Sequence, residues 1–235
     1  MINLLTKIHV HPLLWFVTAS AVFTGHFTDL VMVFVIISVH ELGHAWAAQH
    51  FSWRLKSISF LPFGGAAEVD EHGNRPLKEE LIVILAGPIQ HVWLAALAYA
   101  AFQAGMMPEV YFTTFMIYNV TILCFNLLPI WPLDGGKLIM LWLSVRHPFL
   151  KAIHLSLYSS AAFLITLHLI VLLVYPFQLH IWAVFLFLYF SLWKEWKQRH
   201  YVFMRFLLER YYGNKSLAVT LDPLPVPADS PLPSV

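Results

Sequence analysis

Residues 40–44 read His40-Glu41-Leu42-Gly43-His44. On a helix, positions i and i+4 share a face, so both imidazoles can reach one Zn2+ at about 2.0–2.1 Å. Glu41, beside the first histidine, can take a proton from an attacking water, the role this H-E-x-x-H spacing gives its glutamate. The chemistry would be metal-assisted hydrolysis. A catalytic zinc takes three protein ligands and keeps a fourth position open, so another Asp, Glu or His has to come from elsewhere. Asp134 fits, because Gly135 and Gly136 follow it and glycine lets a backbone turn sharply and approach closely. The other reading is that Asp134 caps a helix beginning at Gly135. Glu68, Asp70, His72, Glu79, Glu80 and His91 compete for the same role.

The setting of these residues is apolar. Hydrophobic residues make up 59% of the 235 positions and charged ones only 11%, against about a quarter charged in a soluble domain. The mean hydropathy is +0.69. Such a chain has too little polar surface to cover a water-soluble globule, and it lacks the basic face of a nucleic-acid binder. Cys124 is the single cysteine, which excludes a disulfide framework and a thiolate-rich metal site. The expected class is an all-α polytopic membrane protein whose first partner is the lipid bilayer.

About 20 apolar residues cross the hydrocarbon core. Six stretches qualify, at about 10–27, 29–52, 79–103, 109–131, 153–175 and 180–197. The first lacks the small-residue cleavage site of a signal peptide. With the N-terminus inside, the outer loops at 25–29, 104–109 and 175–180 contain no Lys or Arg, and all 14 positive residues fall on the inner side. The positive-inside rule then places both termini in the cytoplasm. His44 precedes Arg54 by ten residues, about 15 Å of helix at 1.5 Å per residue, so a metal there would lie below the cytoplasmic surface and short of the midplane. Polar groups at such depth cost roughly 2.5–3.5 kcal/mol for a central Asp and point to function.

Two stretches break the pattern of simple spans. Residues 54–76 are too polar and glycine-rich to cross, yet carry an alternating Ile58 and Phe60 and the Phe63-Gly64-Gly65 core. They read as a re-entrant strand or loop, since non-helical backbone at membrane depth needs protein or a water-filled cavity beside it. A hairpin on the cytoplasmic surface is the alternative. Residues 126–136 hold two prolines and two glycines within an apolar run, so span four should break inside the membrane and continue as a half-helix. The expected organisation is a six-helix domain over 1–198, a cytoplasmic helical extension over 199–221 and a proline-rich tail over 222–235, disordered by composition.

Together with His40–His44, the run Asn126-Leu127-Leu128-Pro129-Ile130-Trp131-Pro132-Leu133-Asp134-Gly135-Gly136-Lys137 resembles the site-2 protease family of intramembrane zinc metalloproteases. Pro62-Phe63-Gly64-Gly65, Glu71 to Glu80, Ala86-Gly87-Pro88, Arg199-His200-Tyr201 and Tyr211-Tyr212-Gly213 extend the likeness to sporulation members of that family, over nearly all of residues 1–213. The resemblance implies His40, His44 and Asp134 as ligands of one Zn2+ per chain, and Glu41 as the general base. It implies that Asn126 and Pro132 belong to a substrate-binding stretch, with Asn126 bonding the substrate backbone or the developing oxyanion. A buried Asn satisfying the kinked carbonyls is the other reading of Asn126. The segment at Phe63, Gly64 and Gly65 would guide an unwound substrate by strand pairing.

The same resemblance implies regulated intramembrane proteolysis during sporulation, in the mother-cell membrane around the forespore. The substrate would be a membrane-associated protein like pro-sigma-K, and membrane proteins of the same compartment would inhibit the enzyme. The sequence departs from the family at two places. Gly87-Pro88 is followed by Gln90 and His91 where many members carry an Asn, and the proline-rich tail stands where sporulation members have a nucleotide-sensing CBS domain. ATP sensing is therefore not carried over. The competing class is a non-enzymatic transporter or metal-binding scaffold, since transporters also use broken helices. No second copy of the 126–136 break supports it.

Overall fold

The computed structural model describes residues 8–10, 18, 21–53, 55–61, 64–69, 75–174 and 178–219. In chain order the elements are β1 (Ile8–Val10), α1 (Phe27–His50), β2 (Leu55–Leu61), β3 (Gly64–Val69), α2 (Leu77–Gln103), α3 (Glu109–Asn126), α4 (Asp134–Arg146), α5 (Phe149–Val174) and α6 (Leu179–Val219). Helix dominates because an apolar solvent leaves the backbone no partner except itself. Three of these helices, α1, α2 and α5, are long and apolar enough to cross a membrane. Large apolar side chains stand exposed on them, among them Val92 and Leu97 on α2 and Leu169 and Leu173 on α5. In water such a surface is a liability; lipid tails cover it.

The boundaries follow local chemistry. Gly25 at φ 76° makes the turn before α1, so Phe27 and Thr28, expected in the loop, already belong to the helix. Gly105 at φ 68° closes α2, with its N–H donating to the Phe102 carbonyl and that of Met106 to the Ala101 carbonyl, a glycine stop of the familiar kind. Pro76 and Pro108 each precede a helix, where a missing N–H removes no helical bond. Most of the first expected span lies outside the described residues, as does the tail from residue 222.

Strands β2 and β3 pair antiparallel, with Phe60 opposite Gly65. The described part of this segment is strand, as the alternating Ile58 and Phe60 suggest. The all-α expectation needs one correction, because β1 adds a third strand, parallel to β2 with Ile8 opposite Ile58. Three residues are too short to register as an alternating pattern. In the order β1-β2-β3, the strand β3 is paired on one side only among the described residues.

Helix four breaks as the prolines require. Helix α3 stops at Asn126, residues 127–133 run without helix, and α4 begins at Asp134. The N-terminus of α4 is pressed against that connector. A Cβ on Gly136 would meet the Ile130 carbonyl carbon and oxygen at 2.6 Å, and one on Gly135 would overlap the carbonyl oxygens of Leu127 and Leu128. These are backbone atoms and cannot swing aside. Gly135→Ala should therefore cost about 1–3 kcal/mol by overpacking, read as a lower unfolding midpoint in detergent. The connector itself is held from behind, since the Trp131 N–H donates to Ser160 Oγ on α5 at 3.0 Å.

Packing falls into two groups. Helices α1, α2 and α3 pack on one another, with β3 against α1; α4 packs on α2 and α5, and α5 on α6. Small residues let α1 and α2 approach closely: Ala45, Ala47 and Ala48 are buried with Trp53 and Val83. A Cβ on Gly43 would come within 2.6 Å of the Ala86 carbonyl. The second core joins Ile130 of the connector to Ile153, Leu157 and Leu164 on α5 and Phe185, Leu188 and Leu192 on α6. Helix α6 is continuous from 179 to 219, so the extension expected from residue 199 carries the same helix onward.

Candidate metal centre

Helix α1 turns His40, Glu41 and His44 inward, and all three are buried, as is Asp134 at the start of α4. His40 Nε2, His44 Nε2 and Asp134 Oδ2 form a triangle with each pair of atoms 3.1 Å apart. The hydrogen bonds around the triangle decide what those atoms carry. His44 Nδ1 donates to the Val83 carbonyl at 2.8 Å, which leaves its Nε2 a bare lone pair. Asn119 Nδ2 donates to the His91 carbonyl at 2.9 Å, so its Oδ1 faces His91 and accepts from Nδ1 of that ring at 2.8 Å. His91 Nε2 is then an acceptor and takes the Nδ1 proton of His40 at 3.1 Å. His40 Nε2 is left bare as well.

With both imidazoles neutral, three lone pairs converge on one point, an arrangement that a cation would satisfy. Zinc suits it: tetrahedral ligands at about 2.0–2.1 Å lie about 3.3–3.4 Å from one another, a few tenths of an ångström from the spacing here. Two nitrogens and one oxygen, all buried, are the donor set of a catalytic rather than a structural site. The second carboxylate oxygen is occupied elsewhere, because Lys137 Nζ donates to Asp134 Oδ1 at 3.0 Å. Asp134 can thus offer one oxygen to a metal. It does not act as a cap, since Leu133 holds the cap position and no side-chain cap bond is made.

The other candidate ligands are placed elsewhere. His91 stands behind His40 as its hydrogen-bond partner. Glu79 Oε2 accepts from Trp53 Nε1 at 3.0 Å, and Glu80 follows it in the first turn of α2. Asp70 and His72 lie outside the described residues, as does Phe63; Gly64 and Gly65 open β3 opposite Leu61 and Phe60. Asn126 ends α3 and Pro132 lies in the connector, both half-buried. Cys124 is exposed on α3.

Two contributors escaped the sequence reading. Gly87 brings the α2 backbone against the triangle, where a Cβ would overlap His44 Nε2 and reach 2.8 Å from His40 Nε2. Asn119 lies buried on α3. Its signal was present, as an amide inside an apolar run is costly unless partnered.

Comparison with known proteins agrees with this geometry. Residues 28–108 and 101–167 match the model of peptidase family M50. The chain belongs to that family. In this M50 peptidase, 228 residues are 50% identical to stage IV sporulation protein FB of Bacillus subtilis, covering 97% of the chain and 79% of the relative. Over 127 residues it is 31% identical to a zinc metalloprotease of Methanocaldococcus jannaschii, covering 52% of the chain and 36% of that protein. Its fold matches the site-2 protease from the same archaeon with a TM-score of 0.63, at 26% identity, over 80% of this chain and 89% of that one. The M50 peptidase is thus a membrane-integral zinc metalloendopeptidase, and the transporter or scaffold reading falls away.

Proposed function

We propose that His40, His44 and Asp134 hold one zinc per chain and that Glu41 is the catalytic base. The observation that carries this is the triangle of three donor atoms on buried side chains, each pair 3.1 Å apart. Bound there, zinc supplies Lewis acidity and an acidified water. The chain supplies the rest. Glu41, buried one residue from the first ligand and within electrostatic reach of His44 and Lys137, takes the proton from the attacking water. It then returns that proton to the leaving amine. Asn126, at the foot of α3, would bond the substrate backbone or the developing oxyanion, with Pro132 shaping the wall beside it.

A helical substrate hides its peptide bonds and has to unwind before cleavage. The β2–β3 pair supports a route for this: β3, opening at Gly64 and Gly65 after Phe63, has one unpaired edge among the described residues and lies against α1, so an extended peptide could add to it as a strand. The segment would act as a re-entrant element in a six-span domain over 1–198, with 199–221 as an extension and 222–235 as a tail. The distribution of Lys and Arg supports cytoplasmic termini and cleavage near the cytoplasmic face.

The likeness to a sporulation protein over nearly the whole chain supports a pro-sigma-K-like substrate. The setting would be the mother-cell membrane around the forespore, with membrane proteins there as inhibitors. Metal analysis of detergent-purified protein tests the site. We expect one zinc per wild-type chain and close to none in His44→Ala or Asp134→Ala. A wild type that stays metal-free after incubation with zinc would overturn the assignment.

A further inference from the structure

Behind the metal triangle lies a second line of buried polar atoms that zinc ligation does not use. His91 is 1% and Asn119 2% exposed, on two different helices, α2 and α3. Their hydrogen bonds run in one direction. The Asn119 amide is oriented by its own N–H donation to the His91 carbonyl. That fixes Oδ1 toward the His91 ring, which fixes the proton on Nδ1 of that ring and leaves Nε2 to accept from His40 Nδ1. A reversed chain would set two acceptors face to face at Asn119, its Oδ1 meeting either the bare His91 Nδ1 or, with the amide turned over, the His91 carbonyl.

We propose that Asn119 and His91 are positioning residues for zinc, a relay that imposes on His40 the tautomer with a bare Nε2. This rests on the metal assignment above. A ligating histidine has to be held in one tautomer and one ring orientation, and partners that do so change metal affinity by about 10–100-fold. His44 gets the same service more directly, from the backbone carbonyl of Val83. Pro88 and Gly87 lie one turn before His91 on α2, so the same helix that leaves room for the metal also presents the relay. Of the two histidines, His40 is the one whose partner is a side chain that substitution can remove.

The test uses the full chain in detergent, with zinc affinity measured by competition against a chromogenic chelator. His91→Phe keeps bulk and removes the acceptor; His91→Gln returns an acceptor at the same distance along the side chain; Asn119→Leu removes the group that orients His91. We expect His91→Phe to weaken zinc binding about 10–100-fold, His91→Gln to restore most of it, and Asn119→Leu to fall between them. The double variant should be no worse than His91→Phe, because the relay acts through one ring. Metal-free melting temperatures separate a lost relay from a damaged fold.

Zinc affinity of His91→Phe within about threefold of wild type would overturn the relay, as would equal losses for Phe and Gln. Additive losses in the double variant would do the same. Should His91→Phe not fold, Asn119→Leu carries the test, and unchanged affinity there overturns the proposal. A wild type that takes up no zinc would instead overturn the metal assignment, so the two failures are distinguishable.

Discussion

Glutamine in place of Glu41 is expected to leave one zinc bound and to lower peptide cleavage about 10²–10⁴-fold, the usual worth of a positioned acid–base group. The substitution is close to isosteric, so the buried pocket that holds this side chain keeps its shape. None of the three donor atoms of the triangle belongs to Glu41, so metal content should not move. What would disappear is the carboxylate proposed to accept a proton from water and carry it to the leaving nitrogen. Cleavage of a membrane-reconstituted substrate, alongside metal analysis of the same preparation, checks both halves. Cleavage at the wild-type rate with zinc present would mean another group carries the proton. Loss of zinc together with activity would mean that Glu41 holds the site together instead of serving the reaction.

Gly87→Ala is expected to be as damaging by a different route. The new methyl would overlap His44 Nε2 and come within 2.5 Å of His44 Cε1 and 2.8 Å of His40 Nε2. These are the far ends of side chains, so the fold can survive by swinging the imidazoles away. Doing so removes two of three ligands from the position where the metal would sit. The outcome should be a folded protein with close to no zinc and cleavage at background. Contrast Gly135→Ala, where the obstacle is backbone and the loss should appear in stability. Zinc content and unfolding midpoint, measured on both variants, should separate them. Full zinc occupancy in Gly87→Ala would show that the α1–α2 seam can widen.

Much of this was legible because the decisive patterns are local. His40 and His44 are one helical turn apart, and the break before Asp134 is written in prolines and glycines. Asp134 needed one further inference, that zinc wants a third ligand. The supporting partners were harder to read. His91 is 51 residues from His40, and Asn119 is 28 from His91; pairings at that distance are settled by helix packing, which no periodicity encodes. His91 was visible as a polar residue inside an apolar span, but a ligand and a ligand's partner look alike in a sequence. Helix ends shifted for smaller reasons: α5 begins at Phe149 and α6 runs on to Val219, because hydropathy marks where lipid stops while backbone bonding continues. The strand β1 had too few residues to announce itself.

The division of the proposed ligands between the two packing groups has a mechanical side. Both nitrogen donors stand on α1, in the group made with α2 and α3, whereas the oxygen donor begins α4, which leads through α5 to α6. A metal held by all three is then a clasp across the seam. Closing the clasp draws the halves together, and by reciprocity any force that spreads them lowers the grip on the ion. Affinity for zinc and rigidity of the bundle become two readings of one equilibrium, set where α4 meets α1 and α2.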